Sequence, residues 1–354
     1  MVDLGFAISD LGIASATLGV ALIIFEPVWG FLVNRWGARR IFLLSALLTT
    51  LVLLSYAFVR DLTGFVFVRF LSGIFGSAGA VSTRTLVWQA VPRKERAFGI
   101  WYTIFAAGGV VGPVIGGLVA TQGYVPVFYV ASIIAAVAFF LSLSIPTIEQ
   151  QNTASSGTNL PIQNMDKSER KVLFMTSFLV IVPLFLRTVY LIFVPVFAKE
   201  SSKLLLGPIE IGMVVAAMGV AGFFAPFIHS ELVSKAGVKE VILTGMLLEF
   251  GSFLLLPSVN GFPFLCLTAI LLGTGEAAIS ISMMTFLMDK TRLSNRGLAI
   301  GVFGAGEDVG ILVGPLIVGY LYRDCGAEFS FYLTAMLMLA NVILSISLLR
   351  KISR

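Results

Sequence analysis

Residues 30–40 read Gly-Phe-Leu-Val-Asn-Arg-Trp-Gly-Ala-Arg-Arg, and a weakened copy, Ser-Glu-Leu-Val-Ser-Lys-Ala-Gly-Val-Lys-Glu, occupies residues 230–240, which lie 200 positions further along. Each copy follows a long apolar run and carries basic residues in its second half. Two more pairs recur at nearly the same spacing, namely 73–78 with 273–278 and 112–117 with 314–319. Internal similarity at one fixed offset predicts a chain built from two related halves.

Apolar runs long enough to cross a membrane surround these repeats. Of the 354 residues, 58% are hydrophobic and 12% are charged, whereas about a quarter of the residues of a soluble domain are charged. A helix needs about 20 apolar residues to span the bilayer core. Eleven such runs are present, at about 10–33, 41–59, 63–88, 98–119, 124–146, 172–197, 209–232, 240–257, 262–288, 298–321 and 329–349. The sequence therefore predicts an all-α polytopic membrane protein.

One polar break divides these runs into two groups. Residues 147–171 are rich in Ser, Thr, Asn and Gln, which is typical of a flexible linker. We expect an N-terminal transmembrane half at 1–146, a cytoplasmic linker at 147–171 and a C-terminal transmembrane half at 172–354. The repeat partner of the run at 172–197 would fall before residue 1, so the first half is expected to lack one helix; a protein with eleven natural spans is the alternative.

Lys and Arg residues are distributed unequally between the two sides of the predicted membrane. If the spans alternate in direction, one side receives most of the basic residues, and Arg84 lies near that end of its span. The other side receives only Arg60, Lys199, Lys203 and Arg323. Because basic loops stay on the cytoplasmic side, we expect a multi-pass protein of the plasma membrane with a cytoplasmic C-terminus and an external N-terminus.

The remaining composition argues against other functional classes. The net charge of +5 comes from short basic clusters at span ends, so no nucleic-acid partner is expected. Cys266, Cys325 and the single His229 are too few for a disulfide framework or a metal site. We find no nucleophile motif and no nucleotide-binding loop, so we expect no catalytic residues, no cofactor and no enzyme activity.

The stretch at 30–40 resembles the signature loop between the second and third helices of the major facilitator superfamily, G-x-L-A-D-R-x-G-R-R. Asn34 stands where the family has Asp, which removes the acidic member of the family's cytoplasmic charge network. The resemblance implies two six-helix bundles around a central cavity, the first one short by a helix here. It also implies a gating loop made of Gly30, Asn34, Arg35, Gly37, Arg39 and Arg40.

A glycine-rich segment in the fourth run resembles the fifth-helix motif of the drug–proton antiporters of that family. It reads Gly108-Gly109-Val-Val-Gly112-Pro113-Val-Ile-Gly116-Gly117. Residues 108, 112 and 116 share one stripe of a helix, and 109, 113 and 117 share the next. Such stripes let another helix pack at backbone distance, and Pro113 can bend the helix. The resemblance implies an exporter, and generic small-residue packing is the alternative.

Charged residues inside the apolar runs are candidates for substrate binding and proton coupling, since charge is costly in a bilayer. Those near the centres of their runs include Arg187, Glu276, Glu307 and Asp308, while Glu26 lies lower in its span. Glu307 and Asp308 point about 100° apart on a helix, so both cannot face one cavity centre. Glu249 would fall on a peripheral helix, where it either faces inward or stays protonated in an apolar setting, and the sequence assigns it no firm role.

Arg69 and Gly73 resemble the R-x-x-x-G pattern in the family's fourth helix, where the arginine serves proton coupling. An arginine near the outer surface can also extend its head group to water, which is the alternative. The Arg187 and Glu276 side chains have an alternative role of their own, as a structural ion pair. These alternatives remain open from sequence.

Together these features predict a secondary active transporter that moves a small molecule by alternating access, with proton-coupled efflux as the first interpretation. Coupling needs a carboxylate whose proton binding changes as the cavity opens. Glu276 is the first candidate, followed by Asp308 and Glu307. Buried acids outnumber buried arginines, which favours a neutral or cationic amphiphile. We expect a monomer in the bilayer; an uptake symporter or uniporter, or a non-transporting truncated relative, is the alternative.

The charge asymmetry yields a labelling prediction. In a variant with Cys266 and Cys325 replaced by Ser, a single cysteine at Lys199 should react with an impermeant thiol reagent in intact cells. A cysteine at Lys239 should react only after permeabilisation, because it lies on the basic, cytoplasmic side. Labelling with the opposite sidedness would reverse the predicted orientation.

Overall fold

The computed structural model describes residues 7–90, 94–146, 165–292 and 296–350, which form α-helices joined by short turns and contain no strand. Asp10, Asp166 and a few glycines mark helix ends. The helices are α1 (Ile8–Trp36), α2 (Ala38–Ser55), α3 (Leu62–Ala90), α4 (Lys94–Ala120), α5 (Tyr124–Ser142), α6 (Lys167–Leu179), α7 (Ile181–Glu200), α8 (Pro208–Ala236), α9 (Val238–Leu255), α10 (Phe262–Lys290), α11 (Arg296–Cys325) and α12 (Ala327–Arg350).

Eleven segments of the described residues are long and apolar enough to cross a membrane, and the all-α polytopic prediction is confirmed. Helices α6 and α7 form one of these segments, Lys167–Glu200, with a break at Val180. This segment begins before the predicted residue 172. The reason is a capping box, in which the Glu169 carboxylate accepts a hydrogen bond of 3.1 Å from the backbone N–H of Asp166.

The repeat is present in the helix boundaries. Helices α1, α2 and α3 begin and end 200 residues before α8, α9 and α10, respectively. Gly37 ends α1 with a φ of 87°, and Gly237 ends α8 with a φ of 100°. Only glycine adopts such backbone angles without strain, so both halves use the same residue type for the same sharp turn. The two halves therefore share one structural plan.

Helix α4 joins the halves by packing along α8 at backbone distance. A Cβ on Gly212 would lie 2.5 Å from the carbonyl oxygen of Pro113, and one on Gly219 would lie 2.7 Å from that of Gly109. Gly117 is buried in the same contact. Its Cα atom would lie 3.2 Å from a Cβ on Gly212. The stripe formed by residues 109, 113 and 117 is thus a contact between the two halves.

Helix α1 makes the corresponding contact with α11. A Cβ on Gly19 would lie 2.7 Å from the Cα of Leu312, and one on Gly319 would lie 3.1 Å from the Cα of Gly12. Gly12 itself faces the carbonyl oxygen of Pro315. The two halves therefore meet through two pairs of helices that approach at glycine.

The neighbouring stripe of α4 differs from the sequence-based expectation. A Cβ on Gly108, Gly112 or Gly116 would meet no atom of the described residues within 4 Å. Its repeat partners on α11 do pack: a Cβ on Gly310 would lie 2.9 Å from the backbone N of Phe185 in α7, and one on Gly314 would lie 3.0 Å from the Phe185 carbonyl oxygen. In the described structure, the stripe of α4 formed by residues 109, 113 and 117 packs against a neighbouring backbone, and the stripe formed by residues 108, 112 and 116 does not.

Adjacent glycines on α4 test this assignment. Gly117→Ala should destabilise the protein by roughly 1–3 kcal/mol, because its methyl group enters space filled by the α8 backbone. Gly116→Ala is the matched control and should leave the thermal unfolding temperature unchanged or raise it, since alanine favours helix. Thermal unfolding in detergent measures both. Equal losses in the two variants would contradict the geometry.

Candidate functional site

An ion pair joins α7 to α10 inside the membrane. The Nε atom of Arg187 lies 3.0 Å from Oε1 of Glu276, and the two side chains are 25% and 15% exposed. Glu276 lies near the middle of α10, and Arg187 lies well inside the spanning segment Lys167–Glu200. The sequence had left open whether these two groups meet, and the structure brings them together. Removing one partner of a pair with so little access to water leaves the other charge uncompensated, which costs more than breaking a pair at the surface.

A second group of charged residues lies where α1, α3 and α11 meet. Arg84 of α3 interacts electrostatically with Glu26 of α1 and with Glu307 and Asp308 of α11. Asp308 is buried, with 7% of its surface exposed. This group therefore draws its acids from both halves, around an arginine of the first half.

Glu307 connects the two groups. It interacts electrostatically with Arg84 and Glu26 and also with Arg187 and Glu276. Asp308, its neighbour in sequence, interacts with Glu26, Glu307 and Arg84. The two acids thus face different sides, as their 100° separation requires, and both still belong to one assembly. We call Glu26, Glu276, Glu307 and Asp308, with Arg84 and Arg187, the acid–arginine cluster.

The composition of the acid–arginine cluster gives it a chemical property. It holds four carboxyl groups and two guanidinium groups. With every group ionised, it would carry excess negative charge within the bilayer, which is costly unless the charge is neutralised. Protons or a bound cation supply that neutralisation. The arrangement is therefore suited to binding protons or a cationic molecule.

Arg69 lies apart from this cluster. It is half-buried near the start of α3, and within the described part of the chain it makes no hydrogen bond or ion pair. Arg84, fifteen positions later on the same helix, is the α3 arginine that reaches the acids. Sequence reasoning used Arg84 only as a marker of orientation. Its place inside an apolar run was the available signal.

The predicted gating loop has a structural role at one position. The guanidinium group of Arg39 donates hydrogen bonds to the carbonyl oxygens of Ile145, at 2.6 Å, and Leu143, at 3.0 Å, just beyond the C-terminal end of α5. Arg35 and Arg40 are exposed. A Cβ on Gly30 would have no atom of the described residues within 4 Å. The side chain of Asn34 is not among the parts of the chain that the structure describes. Arg39 thus ties the loop to the end of α5, where the helix dipole favours a cation.

This contact predicts a difference between two neighbouring arginines. Arg39→Gln should lower the free energy of unfolding by roughly 1–3 kcal/mol, because two charge-assisted hydrogen bonds are lost. Arg40→Gln, the matched control, should change it by less than about 0.5 kcal/mol, as is usual for exposed positions. Thermal unfolding of the purified variants measures the difference. An equal response would show that the Arg39 contacts contribute nothing to stability.

The sequence of this chain matches the model of one known protein family. The family model of the Major Facilitator Superfamily matches residues 1–204 and 176–353, which together cover nearly the whole chain. The chain belongs to this superfamily. The superfamily resemblance drawn from residues 30–40 is therefore confirmed.

The curated relatives include drug-resistance proteins. The multidrug resistance protein MdtG of Citrobacter koseri is 26% identical over 339 residues, covering 93% of this chain and 82% of that protein. The quinolone resistance protein NorA of Staphylococcus aureus is 24% identical over 351 residues, covering 97% of this chain and 88% of that protein. The predicted similarity to the drug–proton antiporter branch is consistent with both.

A solved structure shares the fold. The nucleoside transporter NupG superposes with a TM-score of 0.75 at 17% identity, covering 98% of this chain and 92% of that chain. At 17% identity this similarity shows a shared fold and nothing about function. Fold and family agree on a multi-pass membrane transporter, so the transporter class predicted from sequence is confirmed, and the relatives are transporters rather than enzymes.

Proposed function

We propose that this protein exports small amphiphilic molecules of the quinolone type across the plasma membrane in exchange for protons. The observation that supports the proposal is the acid–arginine cluster, which draws its acids from both halves and has more carboxyl groups than arginines. The proposal takes the protein to act as a monomer with a cytoplasmic C-terminus.

The position of the cluster suits a coupling role. Glu26 and Arg84 belong to the first half, whereas Arg187, Glu276 and Glu307 belong to the second. In alternating access the halves rock against each other around a central site, so such a motion changes the water access and the charged neighbours of each acid. Proton binding and conformation are thereby linked, because each proton favours the arrangement in which its carboxyl group is poorly hydrated.

The contacts between the halves suggest which conformation the structure represents. Gly12 and Gly19 lie in the first half of α1, and Gly109 and Gly117 lie in the second half of α4. With the N-terminus outside, as the basic residues predict, both contacts fall in the outer leaflet. We infer that the outer side is closed here. A substrate would then enter from the cytoplasmic side, as export requires.

Substrate chemistry follows from the charge of the cluster and from the relatives. Excess carboxyl groups favour neutral or cationic molecules over anions. The relative NorA is named for quinolone resistance, and MdtG is named for multidrug resistance. A quinolone is therefore the first substrate to test.

The variant Glu276→Gln tests the coupling mechanism. Glutamine retains the size and hydrogen bonding of glutamate but does not titrate. If Glu276 carries a coupling proton, quinolone accumulation driven by a pH gradient in proteoliposomes should stop, while downhill quinolone exchange continues. If Glu276 serves only as the partner of Arg187, both fluxes should survive in the folded fraction, and the unpaired arginine should cost up to about 3–5 kcal/mol of stability.

The control is Glu328→Gln at the start of α12. It removes an exposed carboxylate whose Oε1 atom lies 3.6 Å from Nζ of Lys203. It should leave both fluxes unchanged. Undiminished accumulation in Glu276→Gln would remove this residue from the coupling mechanism and leave Asp308 and Glu307 for the same test. Failure of the unsubstituted protein to move a quinolone in either direction would count against the proposed substrate class.

A further inference from the structure

Glu249 of α9 is a buried acid outside the acid–arginine cluster. None of its surface is exposed, and within the described structure neither carboxyl oxygen has a hydrogen-bond partner. Buried polar groups in proteins are nearly always hydrogen-bonded, so such a group calls for an explanation. The sequence had placed Glu249 on a peripheral helix without a role. In the structure it lies within the helix packing of the second half.

Two glycines make room for this side chain. A Cβ on Gly275 of α10 would lie 2.8 Å from the Cγ of Glu249 and 2.6 Å from the carbonyl oxygen of Gly245 in α9. The side chain therefore lies against the backbone of α10, at the residue that directly precedes Glu276. Glu249 is packed behind the Arg187–Glu276 pair, and both members of the pair interact with it electrostatically.

Three polar side chains of the surrounding helices are directed elsewhere. Ser252 donates to the carbonyl oxygen of Thr268, and Ser345 of α12 donates to the sulfur of Met246. Asn341 of α12 donates to the carbonyl oxygen of Leu179. None of these contacts satisfies the Glu249 carboxyl group.

The charged groups near Glu249 come from α7 and α10. They are Arg187 and Glu276, which already pair with each other at 3.0 Å. The charged side chains that the structure describes on α8 and α12, the other helices packed against α9, are near the helix ends: Glu210, Lys235 and Glu328. An ionised Glu249 would be a second negative charge beside one shared arginine, without a hydrogen-bond donor. Such a buried charge is strongly unfavourable, and a protonated Glu249 would avoid it.

The repeat shows that this arrangement is particular to the second half. At an offset of 200 residues, Thr49 occupies the position of Glu249, and Ser45 occupies that of Gly245. Ser45 donates a hydrogen bond of 2.8 Å to the Phe75 carbonyl oxygen. The first half thus packs the same helix pair without an acid and without the opposing glycine. General packing between these helices does not require Glu249.

We propose that Glu249 is an inner proton-binding residue that exchanges its proton with Glu276. In the exchange, the O–H bond of the Glu249 acid breaks and an O–H bond forms on the Glu276 carboxylate. Total charge is unchanged, and Arg187 remains the counter-ion of whichever carboxylate is ionised. Glu249 thereby holds a proton while Glu276 is engaged with Arg187. This deepens the proposed proton coupling, and the role of the exchange in transport rests on it.

Infrared spectroscopy of the purified protein tests the proton-binding part without any substrate. The difference spectrum between the unsubstituted protein and Glu249→Gln should show the loss of one protonated-carboxyl C=O band. In the unsubstituted protein this band should shift only slowly after transfer to D₂O, because the group is shielded from water. Glu249→Asp should retain a protonated-carboxyl band, and Glu328→Gln, an exposed control, should remove none. If the band loss does not occur in Glu249→Gln, the assignment of the proton to Glu249 is overturned.

Transport measurements test the exchange. In proteoliposomes, Glu249→Gln should reduce pH-driven quinolone accumulation while downhill quinolone exchange continues. Glu249→Asp, which keeps a carboxyl group, should accumulate more quinolone than Glu249→Gln and less than the unsubstituted protein. Full accumulation in Glu249→Gln, together with the band loss, would show a structural proton and overturn the exchange with Glu276. If the unsubstituted protein moves no quinolone but the band loss occurs, the proposed function fails while the proton-binding site stands.

Discussion

Close approach of helices at glycine is the interaction on which the rest of this structure depends. Between helices in a bilayer the hydrophobic effect supplies little drive, so packing at backbone distance must supply the cohesion. The same device recurs within the halves: a Cβ on Gly73 of α3 would lie 3.0 Å from the Leu18 carbonyl oxygen of α1, and Gly273 of α10 faces the Met218 carbonyl oxygen of α8. These positions are 200 residues apart, which explains why glycine recurs at that spacing.

Close packing also determines where charge can reside. Because α9 approaches α10 at Gly245 and Gly275, a carboxyl group fits behind the Arg187–Glu276 pair with no access to water. At the junction of α1, α3 and α11 two of the acids, Glu26 and Glu307, are half-buried, whereas Asp308 is buried with 7% of its surface exposed. The protein thus presents acids over a range of burial, from half-buried at the junction of the halves to fully buried behind it. A graded series of this kind suits stepwise movement of protons.

Some of the candidate site could be predicted from sequence. Arg187, Glu276, Glu307 and Asp308 were found because charge in the middle of an apolar run is rare and needs a reason. Arg84 was read as an end-of-span residue, because its distance from the acids of other helices is invisible in the sequence. The two stripes of α4 were indistinguishable for the same reason, since glycine allows close packing whether or not a helix is there to use it.

The sequence by itself determined the helical class, the number of spans, the two-fold repeat and the family, because each depends on the length, polarity or spacing of residues along one chain. Tertiary structure alone decided which charges meet. It brought Glu26 and Arg84 of the first half together with Asp308 of the second, enclosed Glu249 behind Glu276, and assigned Gly117 rather than Gly116 to a helix contact. Those outcomes depend on the rotation and approach of helices far apart in the chain, and the spacing of residues within any one helix does not specify them.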